Sequence, residues 1–296
     1  MQFLVLGLFF LFPCSSRAQT IILEAFGDSL TAGLLAHTNT THHNELSDVS
    51  IILSDLTMFK LTKDRSYLLK HERPQSAWPQ VLANLLSTKE TQFEVRNYGL
   101  SGAQSNTLET QVIQAKAVSE AEPNIAFFFI GHNDLCHNTG SQEMLVSDYS
   151  TNFNKAISEW DRRHKGSKAY FMSIAEINRI YPLLDNHVWY EGDKGRYRCN
   201  ENWERLFPYC ISHYKKFQEK TLDSYLVPRI EAINHSLFAM AEEWKKKSTR
   251  NQYFHIEMDS RAEFKKNYFA VDCYHLSKDG QAFVTDQIIK QISWQY

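Results

Sequence analysis

The chain has 296 residues, of which 43% are hydrophobic and 22% are charged, with 32 Lys and Arg against 34 Asp and Glu. One large domain or two small ones of this length can bury a full core, and the composition excludes disordered, collagen-like and fibrous repeat proteins. A formal net charge of −2 lacks the basic excess that nucleic-acid binding usually needs, so no nucleic-acid partner is expected.

The first 18 residues are predicted to be a secretory signal peptide. Residues 3–12 are almost wholly apolar, and the small residues Ser16 and Ala18 follow at the −3 and −1 positions of a cleavage site. The run is too short to span a bilayer, which takes about 20 apolar residues. The alternatives are a buried N-terminal element and a lipoprotein lipidated at Cys14. Cleavage leaves one domain, residues 19–296, with four of the five cysteines, an even number that suits a secreted or periplasmic protein.

Five short apolar runs, each followed by a polar or glycine-containing turn, predict the strands of a parallel sheet. They alternate with amphipathic stretches, so an α/β fold with helices on both faces is expected. The runs are residues 21–26, 93–97, 125–130, 169–174 and 253–258, and the helical stretches are residues 77–86, 106–117 and 229–247, with Pro228 at or near a first helical turn. Ligands of such folds bind beyond the carboxyl ends of the strands, so the chemistry is expected in the turns that follow them.

Two long insertions interrupt this alternation. Residues 37–75 are polar, and residues 178–215 are rich in aromatic side chains and hold two cysteines. Loops of this length are usually functional, so each insertion is either a lid or a surface decoration that packs its own small core. His37, His42 and His43 belong to a polar loop, where solvated side chains are expected rather than a metal site.

The candidate catalytic residues stand in turns near the two ends of the chain. Ser29 directly follows the first strand, and Asp272 precedes His275 by three residues, just ahead of a predicted helix start at Ser277. On one turn the carboxylate can accept a hydrogen bond from one imidazole nitrogen and leave the other free to accept from a serine. The alternatives are structural, with Asp28 or Ser29 as a helix N-cap and the Asp–His pair as a cap of the last helix.

Ester hydrolysis also needs hydrogen-bond donors for the oxyanion that forms in the transition state. Gly102 can offer a backbone N–H with no side chain in the way, Asn133 can offer its side-chain amide after the third strand, and Ser29 can offer its own N–H. Each of these residues alone is more often part of a turn or a cap. The prediction of an oxyanion hole therefore depends on the whole set.

Four sequence blocks together resemble those of the GDSL, or SGNH, hydrolases. The blocks are residues 27–30, 99–102, 131–134 and 272–275. The resemblance implies a three-layer, flavodoxin-like fold with a five-stranded parallel sheet, and no metal or organic cofactor. It also implies that Ser29 is the nucleophile, that His275 is general base and then acid, and that Asp272 orients His275. By the same resemblance, Gly102 and Asn133 are expected to complete the oxyanion hole.

Finer features resemble the phospholipase B-like branch of these hydrolases. Cysteine follows the Asn-Asp-Leu of residues 133–135, and it follows Asp272 as well. The chain departs from the commoner pattern at His132, where glycine is frequent, and at Leu276, where proline is common. The branch implies an acyl ester of a phospholipid or a related lipid as substrate, with transient contact to a membrane surface. A carbohydrate acetyl ester and an inactive secreted binding module are the alternatives.

The four remaining cysteines allow three patterns of disulfide bonds. Cys199 and Cys210 lie close in sequence within one insertion, so we expect them to bond to each other after a short loop closure. Cys136 and Cys273 each lie within three residues of a candidate catalytic residue. The family resemblance implies that these blocks converge, so a second disulfide between Cys136 and Cys273 is expected beside the site.

Overall fold

The computed structural model describes most of the chain after residue 18. The described residues are 19–34, 36, 75–118, 125–137, 140–192, 195–206, 210–259, 262–270 and 272–292. The predicted signal peptide, and all but the last residue of the first insertion, lie outside them.

A five-stranded parallel sheet forms the centre of the molecule and confirms the predicted fold class. The strands along the chain are β1 (Gln19–Gly27), β2 (Thr91–Asn97), β3 (Ile125–Phe129), β4 (Lys168–Met172), β5 (Val188–Gly192), β6 (Gly195–Arg198) and β7 (Gln252–Ile256). The sheet order is β2-β1-β3-β4-β7, and β5 and β6 form a separate antiparallel hairpin. All five predicted strands are therefore present, each shifted by no more than two residues at either end.

Helices cover both faces of the sheet. Along the described chain they are α1 (Ser29–Ala32), α2 (Trp78–Leu86), α3 (Ser105–Val118), α4 (His132–His137), α5 (Gln142–Arg163), α6 (Ile180–Leu184), α7 (Cys199–Leu206), α8 (Ile211–Gln218), α9 (Leu222–Lys247) and α10 (Lys278–Ile289). Side chains of β3 alternate between two apolar cores. Phe127 meets Trp78 of α2 on one face, and Phe128 meets Phe153 and Trp160 of α5 on the other.

The long helix α9 begins earlier than its sequence suggests. The expected start near Pro228 is wrong, because the helix begins at Leu222 and contains this proline in its interior. Leu222 and Leu226 are buried, and packing of this apolar face extends the helix towards the N-terminus. A proline at this position leaves the carbonyl four residues earlier, on Ser224, without a helical donor. Pro228 and Ser224 are both exposed, so water can hydrate that carbonyl.

The described side chains of the second insertion pack on the main core. The insertion contributes α6, the β5–β6 hairpin, α7 and α8. Its buried aromatic residues Tyr181, Trp203 and Tyr214 belong to the same apolar cluster as Phe128 and Phe153 of the sheet and α5. Within the described residues, the insertion and the central domain thus share one core.

Both predicted disulfide pairings are wrong, although the four cysteines are the expected ones. The bonds are Cys136–Cys210 and Cys199–Cys273. Loop length alone favoured a Cys199–Cys210 bond, but helix α7 starts at Cys199 and carries the chain away by about 12 Å. Cys210 of the insertion therefore bonds to α4 and Cys199 to the turn before α10, and both partners lie next to candidate catalytic residues.

The buried side chain of Gln111, on α3, holds the end of β1. Its Nε2 donates to the Gly27 carbonyl at 2.9 Å, and its Oε1 accepts from the Gly27 N–H at 2.9 Å. The Gly27 carbonyl also accepts from the Leu100 N–H at 3.0 Å. The Gly27 N–H thus depends on Gln111.

Replacing this amide should destabilise the protein. Gln111→Leu leaves the buried Gly27 N–H without an acceptor, and we expect the free energy of unfolding in urea to fall by about 1–3 kcal/mol. Gln114→Leu, at a half-buried position of the same helix, is the matched control and should change it by about 0.5 kcal/mol or less. Equal losses in the two variants would contradict a specific role of Gln111.

Candidate active site

Ser29 lies in a tight turn between β1 and α1. Asp28 is the N-cap of α1, and its Oδ1 accepts from the Leu30 N–H at 2.9 Å. A Cβ at Gly27 would collide with the Phe129 carbonyl oxygen of the neighbouring strand, so only glycine fits there. The N-cap alternative therefore holds for Asp28, and the hydroxyl of Ser29 is left to contact another part of the chain.

That contact is His275, at the far end of the sequence. The Ser29 Oγ lies 2.8 Å from His275 Nε2, and His275 Nδ1 lies 2.5 Å from Asp272 Oδ2. All three residues are buried, with at most 6% of their surface exposed. With the imidazole proton on Nδ1, His275 donates to Asp272 and accepts from the serine hydroxyl. Such an arrangement can take a proton from Ser29 and pass it on.

The carboxylate of Asp272 is held in place by three donors. Besides His275 Nδ1, the backbone N–H groups of Tyr274 and His275 donate to Asp272 Oδ1, both at 3.0 Å. Burial works to raise the pKa of Asp272, but the attraction of His275 and these hydrogen bonds outweigh it and hold the pKa below its usual value. Asp272 therefore stays ionised at neutral pH, which fixes the orientation of His275.

The two other predicted donors belong to neighbouring loops. Gly102 has a left-handed φ of 76°, and a Cβ there would meet nothing within 4 Å, so its surroundings are open. Asn133, in the first turn of α4, donates from Nδ2 to the Ala103 carbonyl at 3.0 Å. The Leu100 N–H bonds to the carbonyl of Gly27. The loops of Ser29, Gly102 and Asn133 thus meet at the carboxyl ends of the adjacent strands β1, β2 and β3.

His132 is a buried contact of this site that the sequence did not reveal. Its Nε2 accepts from the Ala175 N–H at 3.3 Å, so Nδ1 carries the proton and faces Asp28 Oδ2 at 3.3 Å. The side chain thereby joins the Ser29 turn to the loop after β4. The sequence marks His132 only as a departure from glycine, because its partners lie 104 and 43 residues away.

An apolar cavity lies beside the Ser29–His275 pair. Leu30, Tyr274 and Leu276, which flank those two residues in sequence, line one side of it. The remaining lining is almost entirely aliphatic and aromatic and includes Phe129, Ile177, Ile180, Phe264, Phe283 and Val284. The cavity volume is about 40 Å³.

Asp134 is a second buried carboxylate close to the site. It accepts from the Ser105 N–H at 3.0 Å and from the Ser105 hydroxyl at 2.6 Å. Burial raises the pKa of Asp134 to about 6, against the opposing effect of the Ser105 hydrogen bonds and with a further contribution from the charge of Asp28.

The described residues contain neither a metal-binding cluster nor a membrane-spanning helix. No group of three or more His, Cys, Asp or Glu among them is placed to hold a metal ion. In the same part of the chain, no helix is long and apolar enough to cross a membrane. The loop with His37, His42 and His43 lies outside the described residues.

Comparison with known sequences gives one match to a family. The family model described as GDSL-like Lipase/Acylhydrolase matches residues 23–288, which contain all the candidate site residues. No match was found among the curated proteins.

Comparison with solved structures gives similar folds at low sequence identity. A family two carbohydrate esterase from Clostridium thermocellum is 8% identical with a TM-score of 0.53, over 93% of this chain and 64% of that chain. An extracellular lipase from Streptomyces rimosus is 15% identical with a TM-score of 0.48, over 92% of this chain and 100% of the other. An acetylxylan esterase from Geobacillus stearothermophilus is 14% identical with a TM-score of 0.49, over 95% of this chain and 97% of the other.

The raised pKa of Asp134 predicts a fall in stability between about pH 4 and pH 6. The unfolded chain releases this proton near the ordinary value of 3.8 and the folded protein only near 6, so ionisation favours unfolding as the pH rises through this range. The loss amounts to about 2–3 kcal/mol. We expect urea unfolding of Asp134→Asn to show a correspondingly shallower pH dependence.

The exposed Asp148, on α5, provides the control for removing one negative charge. Asp148→Asn should follow the wild-type pH curve. Burial also raises the pKa of Glu24, to about 7. Glu24 therefore contributes to the same fall in stability in both variants, so the comparison isolates Asp134. An Asp134→Asn curve parallel to that of the wild type would rule out this titration.

Proposed function

The chain belongs to the GDSL-like lipase and acylhydrolase family, and on that premise we propose that it is a serine esterase that hydrolyses acyl esters of phospholipids or related lipids. The observation that carries the proposal is the hydrogen-bonded chain from Ser29 through His275 to Asp272. A secreted or periplasmic location is part of the proposal. Two disulfides fit an oxidising compartment and support it.

In the first half of the proposed reaction, the Ser29 Oγ attacks the ester carbonyl carbon while its proton moves to His275 Nε2. The carbonyl oxygen becomes an oxyanion, which accepts from the Ser29 and Gly102 N–H groups and from the Asn133 amide. The ester C–O bond then breaks, and the proton on Nε2 passes to the departing alcohol. Ionised Asp272 stabilises the imidazolium that exists between these proton transfers.

In the second half, water replaces the alcohol. His275 takes a proton from water while the water oxygen attacks the acyl-enzyme carbonyl carbon, and the same donors stabilise the second oxyanion. Breaking the bond to Ser29 releases the carboxylic acid and returns the proton to the serine oxygen. The cycle needs only the ester and water, so the residues of this site supply every proton transfer.

The lipid part of the proposal is supported by the apolar cavity. Its lining suits an acyl chain, because transfer of methylene groups from water into such surroundings is favourable. A chain longer than a few carbons requires the lining side chains to move, since the open space is only about 40 Å³. The half-buried ring of Phe283 is one of these side chains.

The small open volume favours a second candidate, an acetyl ester of a carbohydrate. The methyl group of an acetyl ester would fit without rearrangement of the lining. Ser29, His275 and Asp272 would act in the same way on either substrate. The two candidates differ only in the acyl chain length and the alcohol.

Loss of the nucleophile should abolish activity. Ser29→Ala should lower kcat for p-nitrophenyl esters by at least about 10³-fold and prevent labelling by a fluorophosphonate, because it removes the hydroxyl that contacts His275 Nε2. Ser224→Ala, at an exposed serine of α9, is the matched control and should keep both properties. Near-wild-type activity or labelling of Ser29→Ala would sink the proposal.

A series of esters from acetate to palmitate separates the two substrate classes. We expect kcat/KM of the wild type to rise with chain length, and a maximum at acetate would favour the carbohydrate ester. Phe283→Ala widens the cavity and should raise the ratio of octanoate to acetate activity about ten-fold. Phe238→Ala removes an exposed ring on α9 outside the cavity and should leave this ratio unchanged. Equal ratios in the two variants would exclude the cavity as the acyl site.

A further inference from the structure

The turn of residues 272–275, here called the Asp272–His275 turn, contains a residue with an unusual backbone. Cys273 has a φ of 65°, and among the described residues it shares a positive φ with only one other non-glycine residue, Lys220. A residue with a side chain adopts this left-handed region only where its surroundings hold it there. The conformation matters because Cys273 directly follows Asp272 and belongs to the short backbone segment that joins Asp272 to His275.

The second insertion holds Cys273 through two contacts from one helix. The sulfur of Cys273 is bonded to Cys199, and the Cys273 carbonyl accepts from the Trp203 Nε1–H at 3.1 Å. Cys199 and Trp203 are four residues apart in α7, so they lie on the same face of that helix. The N–H of Cys273 donates to the Ala270 carbonyl at 2.9 Å. Its donor, its acceptor and its side chain are therefore all engaged.

The indole of Trp203 is itself fixed by the core. It is buried, and its ring centroid lies 4.9 Å from that of Tyr181 and 5.1 Å from that of Tyr214. Packed against these rings, the indole directs its Nε1–H at the Cys273 carbonyl. The hydrogen bond is thus a fixed link between the insertion and the Asp272–His275 turn.

The other disulfide contacts the next residue of the turn. The Tyr274 hydroxyl lies 3.3 Å from the Cys136 sulfur and 3.6 Å from the Cys210 sulfur. The backbone N–H of Tyr274 donates to the Asp272 carboxylate. The insertion therefore touches the turn on both sides of the Cys273–Tyr274 peptide.

We propose that Trp203 and Cys199 are positioning residues for the Asp272–His275 pair. They hold Cys273 in the left-handed conformation, and this conformation directs the Asp272 carboxylate at His275 Nδ1. The inference rests on the proposed function, since it assigns a role in the same site. Loss of either contact lets the turn relax and moves the carboxylate relative to the imidazole. Turnover then suffers more than substrate binding, because the carboxylate acts on the imidazolium formed in the transition state.

The first test removes only the indole donor. Trp203→Phe keeps an aromatic ring in the core and should lower kcat for p-nitrophenyl esters roughly ten- to hundred-fold, with KM changed about two-fold or less. Trp244→Phe is the matched control, because it removes the Nε1–H bond of another buried tryptophan, to Asn154 Oδ1 of α5 at 2.9 Å. The control should retain the wild-type kcat.

A second measurement observes the pair without substrate. The proton between His275 Nδ1 and Asp272 should give a far-downfield proton NMR signal in the wild type and in Trp244→Phe. This signal should be lost or move upfield in Trp203→Phe. A purely structural role of Trp203 would lower the melting temperature of both tryptophan variants and leave the signal in place.

A third comparison addresses the backbone conformation directly. Cys199→Ala with Cys273→Gly and Cys199→Ala with Cys273→Ala both lack the disulfide, but only glycine adopts a positive φ without strain. We expect the glycine variant to have a several-fold higher kcat than the alanine variant. Equal kcat values would oppose the proposal.

The outcomes separate this inference from the proposed function. If Trp203→Phe matches Trp244→Phe in kcat and in the NMR signal, the positioning role is wrong, while an inactive Ser29→Ala leaves the esterase assignment standing. If the wild type neither hydrolyses esters nor reacts with the fluorophosphonate, the esterase assignment fails. The NMR comparison then still decides whether Trp203 holds the pair.

Discussion

The hydrogen bond between Ser29 and His275 joins two turns that are 246 residues apart, and the proposed chemistry depends on it. Of the two residues in this hydrogen bond, the sheet places only Ser29. Ser29 follows β1, whose neighbours β2 and β3 lead to Gly102 and Asn133, so parallel pairing alone gathers these three residues at one edge. His275 has no such placement. The strand before it, β7, lies three positions from β1, or about 14 Å across the sheet.

Contacts outside the sheet therefore have to place His275 next to Ser29. The loop before α10 folds onto itself through the Ala270 N–H and the His275 carbonyl, 2.8 Å apart, and through a bridge between Phe269 and Leu276. Ser277 then starts α10 as its N-cap. The second insertion adds the disulfide to Cys273. The insertion belongs to the connection between β4 and β7. This connection therefore supports the turn that carries His275, which the position of β7 in the sheet does not bring to Ser29.

Features that depend on contacts between residues close in sequence could be predicted, and features that depend on contacts between distant residues could not. Strands and the turns after them depend on local apolar patterns, and parallel pairing puts the turns of Ser29, Gly102 and Asn133 at one edge of the sheet. The order β2-β1-β3, which makes the three strands neighbours, does not follow from their order in the chain. The cysteine pairing could not be predicted, because helix α7 separates Cys199 from Cys210 and sequence distance does not reveal it. The contact of His132 with Asp28 depends on the packing of two loops, for which a single sequence carries no periodic signal.

The insertion joins two properties that are usually considered apart. Trp203 and Cys199 contact the Asp272–His275 turn, while Ile180, at the start of the same insertion, lines the apolar cavity. These residues share one core with the sheet, so a change of side chain at the cavity wall is transmitted to α7 through close packing. Acyl-chain preference and turnover are therefore expected to vary together in this protein. The Ser29 turn has supports outside the insertion as well, through Gln111 and β3.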